Sequence, residues 1–449
     1  MENERYNNMS AERILRRKKR QRQRRILAIT IIIVFLLIIS LVLFSVVSLF
    51  RFIGGILFSE KPEKITVEQI ISEADFIAAG YDYDAAIAKI TEYNADYLKN
   101  EKLSAAVDRY NSEKSKLVPW SNVHEITHVF FHTMIKDNAL AFDGDYKQDG
   151  YNQYMTTVSE FNKMMEEMYK RDFVLVKLHD IAELKVDENG NKRMVKKDIL
   201  LPPGKKPFVM SQDDVSYYGY MTEDGFATRM ILDENGNPTC EYVNPDGSVI
   251  TGSFDLVPLL EDFIKTHPDF SYKGARAVLA ITGYDGVLGY RTCPSGDGYN
   301  PDDAEKAKVV ADRLKEIGYE FASHSWGHQL YGSISYEKLC TDADKWEKEV
   351  QPILGETDIL IYAHGEDIAG IEAYDSANDK FNYLKSLGFT YYCNVDANTY
   401  WVQIGDDYMR QGRRNLDGYR MYHFPEMLDD LFNVSDVWDS ERPTPVPAI

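Results

Sequence analysis

A chain of 449 residues with a formal net charge of −20 is too acidic to hold nucleic acid or an anionic polymer by bulk attraction, although a neutral glycan remains open to it. The charge is uneven: residues 1–25 hold ten Lys or Arg against three Glu, so their +7 leaves −27 on the remainder. Four cysteines (Cys240, Cys293, Cys340, Cys393) show no C-x-x-C spacing, permit either disulfides or free thiols, and choose between neither.

Residues 26–50 follow the basic block without a charge and are rich in Ile, Leu and Val. At about 1.5 Å of rise per residue, such a helix crosses a hydrocarbon core of roughly 30 Å. No A-x-A cleavage pattern follows, and the chain runs on into Arg51, Phe52 and Ile53, so the segment reads as an uncleaved anchor. Positive flanks stay cytoplasmic, which predicts a single-pass membrane protein with a cytoplasmic tail, 1–25, and all later residues outside the cell.

Residues 51–118 read as a helical stalk. Apolar residues recur there at helical spacing (Ile70, Ala74, Ile77, then Ala86, Ile87, Ile90, then Leu103, Ala106, Val107, Tyr110), with interruptions at Gly80 and Asn94. One tetratricopeptide-like turn at 78–87 is too little for a repeat array. Pro119-Trp120 marks a boundary, beyond which 119–435 forms the main domain and 436–449 a C-terminal tail. In that domain, β-rich runs at 129–134, 173–177, 208–211, 277–282, 320–323, 359–363, 390–395 and 419–423 alternate with helical stretches at 157–171, 256–266, 304–317, 336–350 and 376–387. The alternation predicts a mostly parallel α/β fold in the form of a barrel. Turn-rich stretches beginning at Asp233 and Asn244 place a β-hairpin excursion over 231–252.

Two short segments carry candidate chemistry. The run Lys206-Pro-Phe-Val-Met-Ser-Gln reads as a buried strand that ends in adjacent carboxylates, Asp213 and Asp214. Barrel active sites sit where strands end, so acids there are well placed. Glu320-Phe-Ala-Ser-His-Ser-Trp-Gly-His supplies His324 and His328, an i, i+4 pair that a helix would present to one metal. Spacing alone is unspecific, because His124–His128 and His128–His132 share it.

Together these segments resemble the polysaccharide deacetylase (NodB homology) family, the family-four carbohydrate esterases, over roughly residues 125–425. The family motif Thr-Phe-Asp-Asp-Gly stands here as Ser211-Gln212-Asp213-Asp214-Val215, and His-Ser/Thr-x-x-His as His324-Ser325-Trp326-Gly327-His328. Flanking stretches at 155–181 and 308–320 follow in the family's order. The resemblance implies an α/β fold, a distorted (β/α) barrel of the NodB type, preceded here by one transmembrane helix and the helical stalk. It implies Asp213 as general base, with Asp214, His324 and His328 as ligands of a divalent metal, Zn²⁺ foremost. His423, in Tyr422-His423-Phe424 at the expected last strand, would be the general acid. The implied activity is removal of acetyl groups from N-acetylated, or O-acetylated, cell-envelope polysaccharide such as peptidoglycan.

Some positions depart from the pattern. Gln212 and Val215 replace the usual Phe and Gly, and the Arg-x-Pro-Tyr motif has no counterpart. At its place stands Ile361-Tyr-Ala-His-Gly-Glu-Asp, with His364 and no arginine; Arg291, Arg413 and Arg414 are candidates to orient Asp213, and the sequence selects none. Two other readings compete. His124-Glu-Ile-Thr-His128 matches the zinc-peptidase pattern H-E-x-x-H with Glu125 as base. The run that follows reads as a strand, however, in which the two imidazoles would stand about 13 Å apart. The second is a deacetylase fold without activity, binding wall glycan through some of its 30 Tyr and five Trp. The missing arginine motif favours it, and the four intact motif residues oppose it. Oligomeric state is open.

Overall fold

The computed structural model describes residues 65–396 and 400–449, of which 67–449 belong to one unit. The anchor expected at 26–50 lies outside the described residues, and among those described no helix is long and apolar enough to cross a membrane.

Seven short strands build the centre: β1 (Thr127–Phe131), β2 (Lys206–Gln212), β3 (Val278–Ile281), β4 (Glu320–Ser323), β5 (Ile359–Ile361), β6 (Tyr391–Val395) and β7 (Met409–Asn415). Each pairs in parallel with the next along the chain, and β7 pairs back onto β1, so the sheet closes. Closure is thin between β4 and β5, which share only Ser323–Leu360. The result is a distorted parallel barrel, as the alternation predicted.

Side chains alternate across the barrel wall. On β2, Phe208 and Met210 join the outer core, while Val209 joins the inner one. On β4 and β6, Ala322 and Cys393 likewise face inward with Val278 and Ala280 of β3. The same parity carries Ser211 and Asp213, His324, and Gln411 and Arg413 up the inner wall towards the strands' C-terminal ends.

Helices α1 (Val67–Ala79), α2 (Tyr83–Tyr93) and α3 (Glu101–Lys114) fill the described part of the expected stalk. They share a small core around Ala74, Ala86, Ile90 and Leu103. They also pack directly on the barrel unit. Tyr81 donates its hydroxyl to the Asp269 carbonyl at 2.9 Å, and the Lys273 N–H donates to the Gly80 carbonyl at 2.7 Å. A Cβ on Gly80 would stand 2.9 Å from the Ser271 carbonyl oxygen, so this contact needs glycine.

The outer layer contains α4 (Val158–Lys170), α5 (Leu256–Thr266), α6 (Asp303–Glu316), α7 (Tyr336–Glu349) and α8 (Asp379–Ser386), close to their expected bounds. Helix α4 opens with a reciprocal cap between Thr157 and Glu160 and buries Phe161, Met164, Met165 and Met168 against the barrel. The excursion near 231–252 is a three-stranded antiparallel sheet of Arg229–Leu232, Pro238–Val243 and Val249–Gly252. All four cysteines are free.

Two expectations fail at the C-terminal end. Residues 419–423 are not a strand but part of a short helix, α9 (Gly418–His423), and the last barrel strand is β7, which sequence patterning passed over. Met-Arg-Gln-Gly-Arg-Arg-Asn does not resemble a buried strand, yet Arg410, Arg413 and Arg414 are all buried because each meets a carboxylate: Asp367 at 2.9 Å, Asp213 at 2.6 Å and Asp430 at 2.7 Å. The tail, in turn, is fastened to α4. Fully buried Arg442 pairs with fully buried Glu160 at 2.5 Å and donates to the Asn152 carbonyl at 2.9 Å.

At the opposite, N-terminal end of the strands, His179 is gripped by Glu320 (2.5 Å) and Asp358 (3.0 Å). Burial opposes its charge, but the two carboxylate bonds prevail and push the imidazole up to about 10. A raised value means that stability from this clamp is complete below the ordinary histidine range and is lost as pH rises through about 10. Urea unfolding midpoints measured from pH 6 to about 10 should therefore fall more steeply for the wild type than for His179→Gln. Parallel curves would assign the clamp no ionic role.

Candidate metal centre

The inward residues at the C-terminal ends of the strands meet in a cavity of about 520 Å³. Asp213 and Asp214 follow β2, His324 follows β4, and His328 stands four residues further on. The Asp214 Oδ1 lies 3.9 Å from His324 Nε2 and 3.7 Å from His328 Nε2. Among the described residues, this is the one group of three whose donor atoms all lie within 4.8 Å of each other.

The donor chemistry fits a divalent ion. His324 directs Nδ1 at the Ile361 carbonyl oxygen, 2.8 Å away, so that nitrogen donates and Nε2 keeps its lone pair for the cavity. Burial also holds this imidazole below its ordinary value, in the neutral form that ligates. Burial raises Asp214, but the facing His328 and His324 pull it below the usual carboxylate range, so it is ionised. Tetrahedral bonds of 2.0–2.1 Å put ligand atoms about 3.3 Å apart, about half an ångström tighter than the two separations from Asp214. One carboxylate and two imidazoles leave open positions for water and substrate.

Asp213 is held differently. Arg413 grips it with a two-pronged bond, Nη1 to Oδ1 at 2.6 Å and Nη2 to Oδ2 at 2.9 Å. Both groups are buried. Burial alone would raise the carboxyl, yet Arg413, with His324 behind it, holds it well below the usual range. Of the three candidate arginines, the structure selects Arg413; Arg414 pairs with Asp430, and Arg291 with Asp285 at 3.2 Å. Beneath the pair runs a chain of bonds with one direction. Arg413 donates to Ser211 Oγ (3.1 Å), whose hydroxyl must then donate to His128 Nε2 (2.9 Å), leaving His128 Nδ1–H for Gln411 Oε1 (3.1 Å). Burial first, and Arg413 second, keep His128 neutral.

The H-E-x-x-H reading fails here. His124 lies in a short turn with Nδ1 on the Val402 carbonyl, while His128 sits inside the barrel on β1, so the two do not form one site. The His324–His328 pair is likewise not helical. Its residues form a loop, with Ser325 and His328 at positive φ (60° and 52°), and the loop rather than an i, i+4 helix brings the imidazoles together. His423 does not line the cavity. It ends α9 and bonds the Val446 carbonyl at 3.0 Å, because the segment is helical and turns the ring towards the C-terminal tail.

Two cavity histidines lay outside the sequence-based site. His132, just past β1, directs Nδ1 to the Tyr154 carbonyl at 3.1 Å. His364, at positive φ (56°), packs its ring 4.2 Å from that of His328. His132 was legible from parity, since 128, 130 and 132 share a face of β1. The departures from the motif are also accounted for. Gln212 faces outward and donates to both oxygens of buried Asp255 (2.8 and 2.9 Å), which also receives Tyr217 (2.6 Å). Val215 is fully buried in the outer core.

Tyr218 donates to Asp214 Oδ1 at 2.6 Å, and its ring lies nearly parallel to those of Tyr284 and Tyr220, at 5.0 and 5.6 Å. Tyr220 is 56% exposed.

No protein-family model and no curated protein matches this chain. Among solved structures, it is similar to the deacetylase PplD of Streptococcus pyogenes in complex with acetate, at TM-score 0.35 and 12% identity, covering 68% of this chain and 97% of that one. It is also similar to the BpsB deacetylase domain of Bordetella bronchiseptica, at TM-score 0.35 and 13% identity, covering 66% and 98%. Likeness at this level bears no weight for chemistry, which rests on the geometry above.

Proposed function

We propose that this chain is a metal-dependent deacetylase of N-acetylated, or O-acetylated, cell-envelope polysaccharide, with peptidoglycan foremost. The observation that carries the reading is the buried Arg413–Asp213 pair beside the Asp214–His324–His328 group in one cavity. A divalent ion, Zn²⁺ foremost, would there polarise the acyl carbonyl and lower the pKa of a water. Asp213, fixed and kept ionised by Arg413, takes the proton from the attacking water. His132, at the same cavity, returns a proton to the departing nitrogen or oxygen, the role expected at first of His423. Arg413 also supplies the charge whose absence from Arg-x-Pro-Tyr favoured an inactive binder. A sugar substrate is supported by exposed Tyr220, stacked on the tyrosine that braces Asp214. With residues 26–50 as anchor, the barrel would work outside the cell on nearby polymer.

The test is acetate release from N-acetylglucosamine oligomers by the purified full chain, before chelation, after it, and after zinc is restored. Release that stops with chelation and returns with zinc is expected. One bound ion with no acetate from N- or O-acetylated glycans would overturn the reading.

A further inference from the structure

The loop His324–His328 has a shape that its own residues secure only in part. Ser325 and His328 both occupy the left-handed region, which side chains other than glycine adopt only under restraint. Without a helix, the local bonds are Gln329 N–H to Ser325 Oγ and Gln329 Nε2 to the Gly327 carbonyl, both 2.8 Å, while the His324 ring is held by the Ile361 carbonyl. A further restraint, on the peptide N–H groups between the two histidines, comes from α7. Asp342, 9% exposed, turns both oxygens onto the loop: Oδ1 accepts from the Trp326 N–H at 2.8 Å and Oδ2 from the Gly327 N–H at 2.8 Å. Oδ1 also accepts from the Tyr331 hydroxyl at 2.8 Å, just past the loop. From the other side, the Trp326 carbonyl accepts from the N–H groups of Gly283 and Tyr284, at 2.9 and 3.1 Å. The indole fills the place a Cβ on Gly283 would take, 2.3 Å from its Cδ1. The peptide between the two histidines is thus fixed at both its donor and its acceptor ends.

We propose that Asp342 is a positioning residue for the metal centre: its carboxylate holds the His324–His328 loop in the one conformation that brings both imidazoles to Asp214. This rests on reading Asp214, His324 and His328 as metal ligands. A carboxylate is required because consecutive N–H groups need two acceptors. An asparagine offers one and sets its own NH₂ against the other N–H. A role limited to general stability would lower the melting temperature of the metal-free protein and leave ion affinity alone. A positioning role does the reverse, because the ligands must then be ordered at the expense of binding.

The experiment is a competition titration of Zn²⁺ against a chromogenic chelator, on the full chain, with melting curves of the metal-free proteins. Asp342→Asn is expected to bind zinc about 10–100-fold more weakly, the usual effect of removing a group that orients a ligand. Tyr331→Phe, which leaves both backbone bonds intact, should stay within about twofold of wild type, a margin small beside that effect. Wild-type affinity in Asp342→Asn overturns the proposal while the metal site stands. If wild type itself binds no zinc, the metal reading and the proposal fall together. Should Asp342→Asn not fold, Gly327→Ala substitutes for it, since a Cβ there stands 3.0 Å from Asp342 Oδ2 and presses the carboxylate back by a few tenths of an ångström. Gln329→Ala is the control for the 3.1 Å approach of that Cβ to Gln329 Nε2. Zinc binding weaker in Gly327→Ala than in the control supports the proposal, and binding no weaker overturns it.

Discussion

Asp213→Asn is expected to slow acetate release by about 10²- to 10⁴-fold while the bound ion stays in place. The carboxamide keeps the size of the side chain but cannot take a proton from water. Its oxygen can still accept one prong of Arg413, whereas its NH₂ must face the other, so the pair loses its ionic character without emptying the space. The ligand group, Asp214, His324 and His328, does not include Asp213, which predicts unchanged metal content. Rate and bound metal measured on the same sample separate the roles. A variant that keeps its rate within tenfold would remove Asp213 from the reaction, and one that loses metal would make it a ligand.

Arg413→Met should be the more damaging change for the fold. Met approximates the length of the side chain but leaves Asp213 buried without its partner, and breaking a buried pair from one side costs about 3–5 kcal/mol. Ser211 loses its donor at the same time. The sign of the pH effect follows from the lowered carboxyl. A depressed value contributes stability above the ordinary carboxylate range and loses it as pH falls through the depressed one. Wild type should therefore keep this contribution until strongly acid pH. In Arg413→Met, the main offset to burial is gone and His324 alone cannot replace it, so the carboxyl rises and the acid limb of the rate profile moves upward. Urea unfolding and a pH–rate profile check both. Unchanged stability with an unchanged acid limb would mean that Arg413 does not hold the base.

The residues that meet in the cavity were legible in the sequence where they end a well-formed strand. Apolar strands announce β2 and β4 by composition, and their inward parity then points Asp213 and His324 to one place. The partner of Asp213 was not legible, for a physical reason. Its strand, β7, is buried through ion pairs rather than apolar side chains, so Arg410, Arg413 and Arg414 disguise it as a surface segment. His423 owes its expected role to the resemblance, with 419–423 read as the last strand, whereas α9 turns it to Val446. The histidine pair is visible from its spacing, but a loop and not a helical i, i+4 arrangement presents it. The loop depends on Asp342, fourteen residues after His328, and no local pattern signals that contact. The helices of 67–114 were predicted well because helical spacing is local; their packing onto the barrel through Tyr81 and Gly80 is a long-range contact that spacing does not report.

That Asp214, His324 and His328 bind one divalent ion is tested most directly by X-ray absorption at the zinc edge of the zinc-loaded full chain. The expected spectrum has nitrogen and oxygen ligands at about 2.0–2.1 Å, with the outer-shell signature of two imidazoles, and both imidazole contributions vanish in His324→Ala/His328→Ala. A sulfur shell at about 2.3 Å, or an unchanged spectrum in the double variant, would place the ion elsewhere and contradict the site described here.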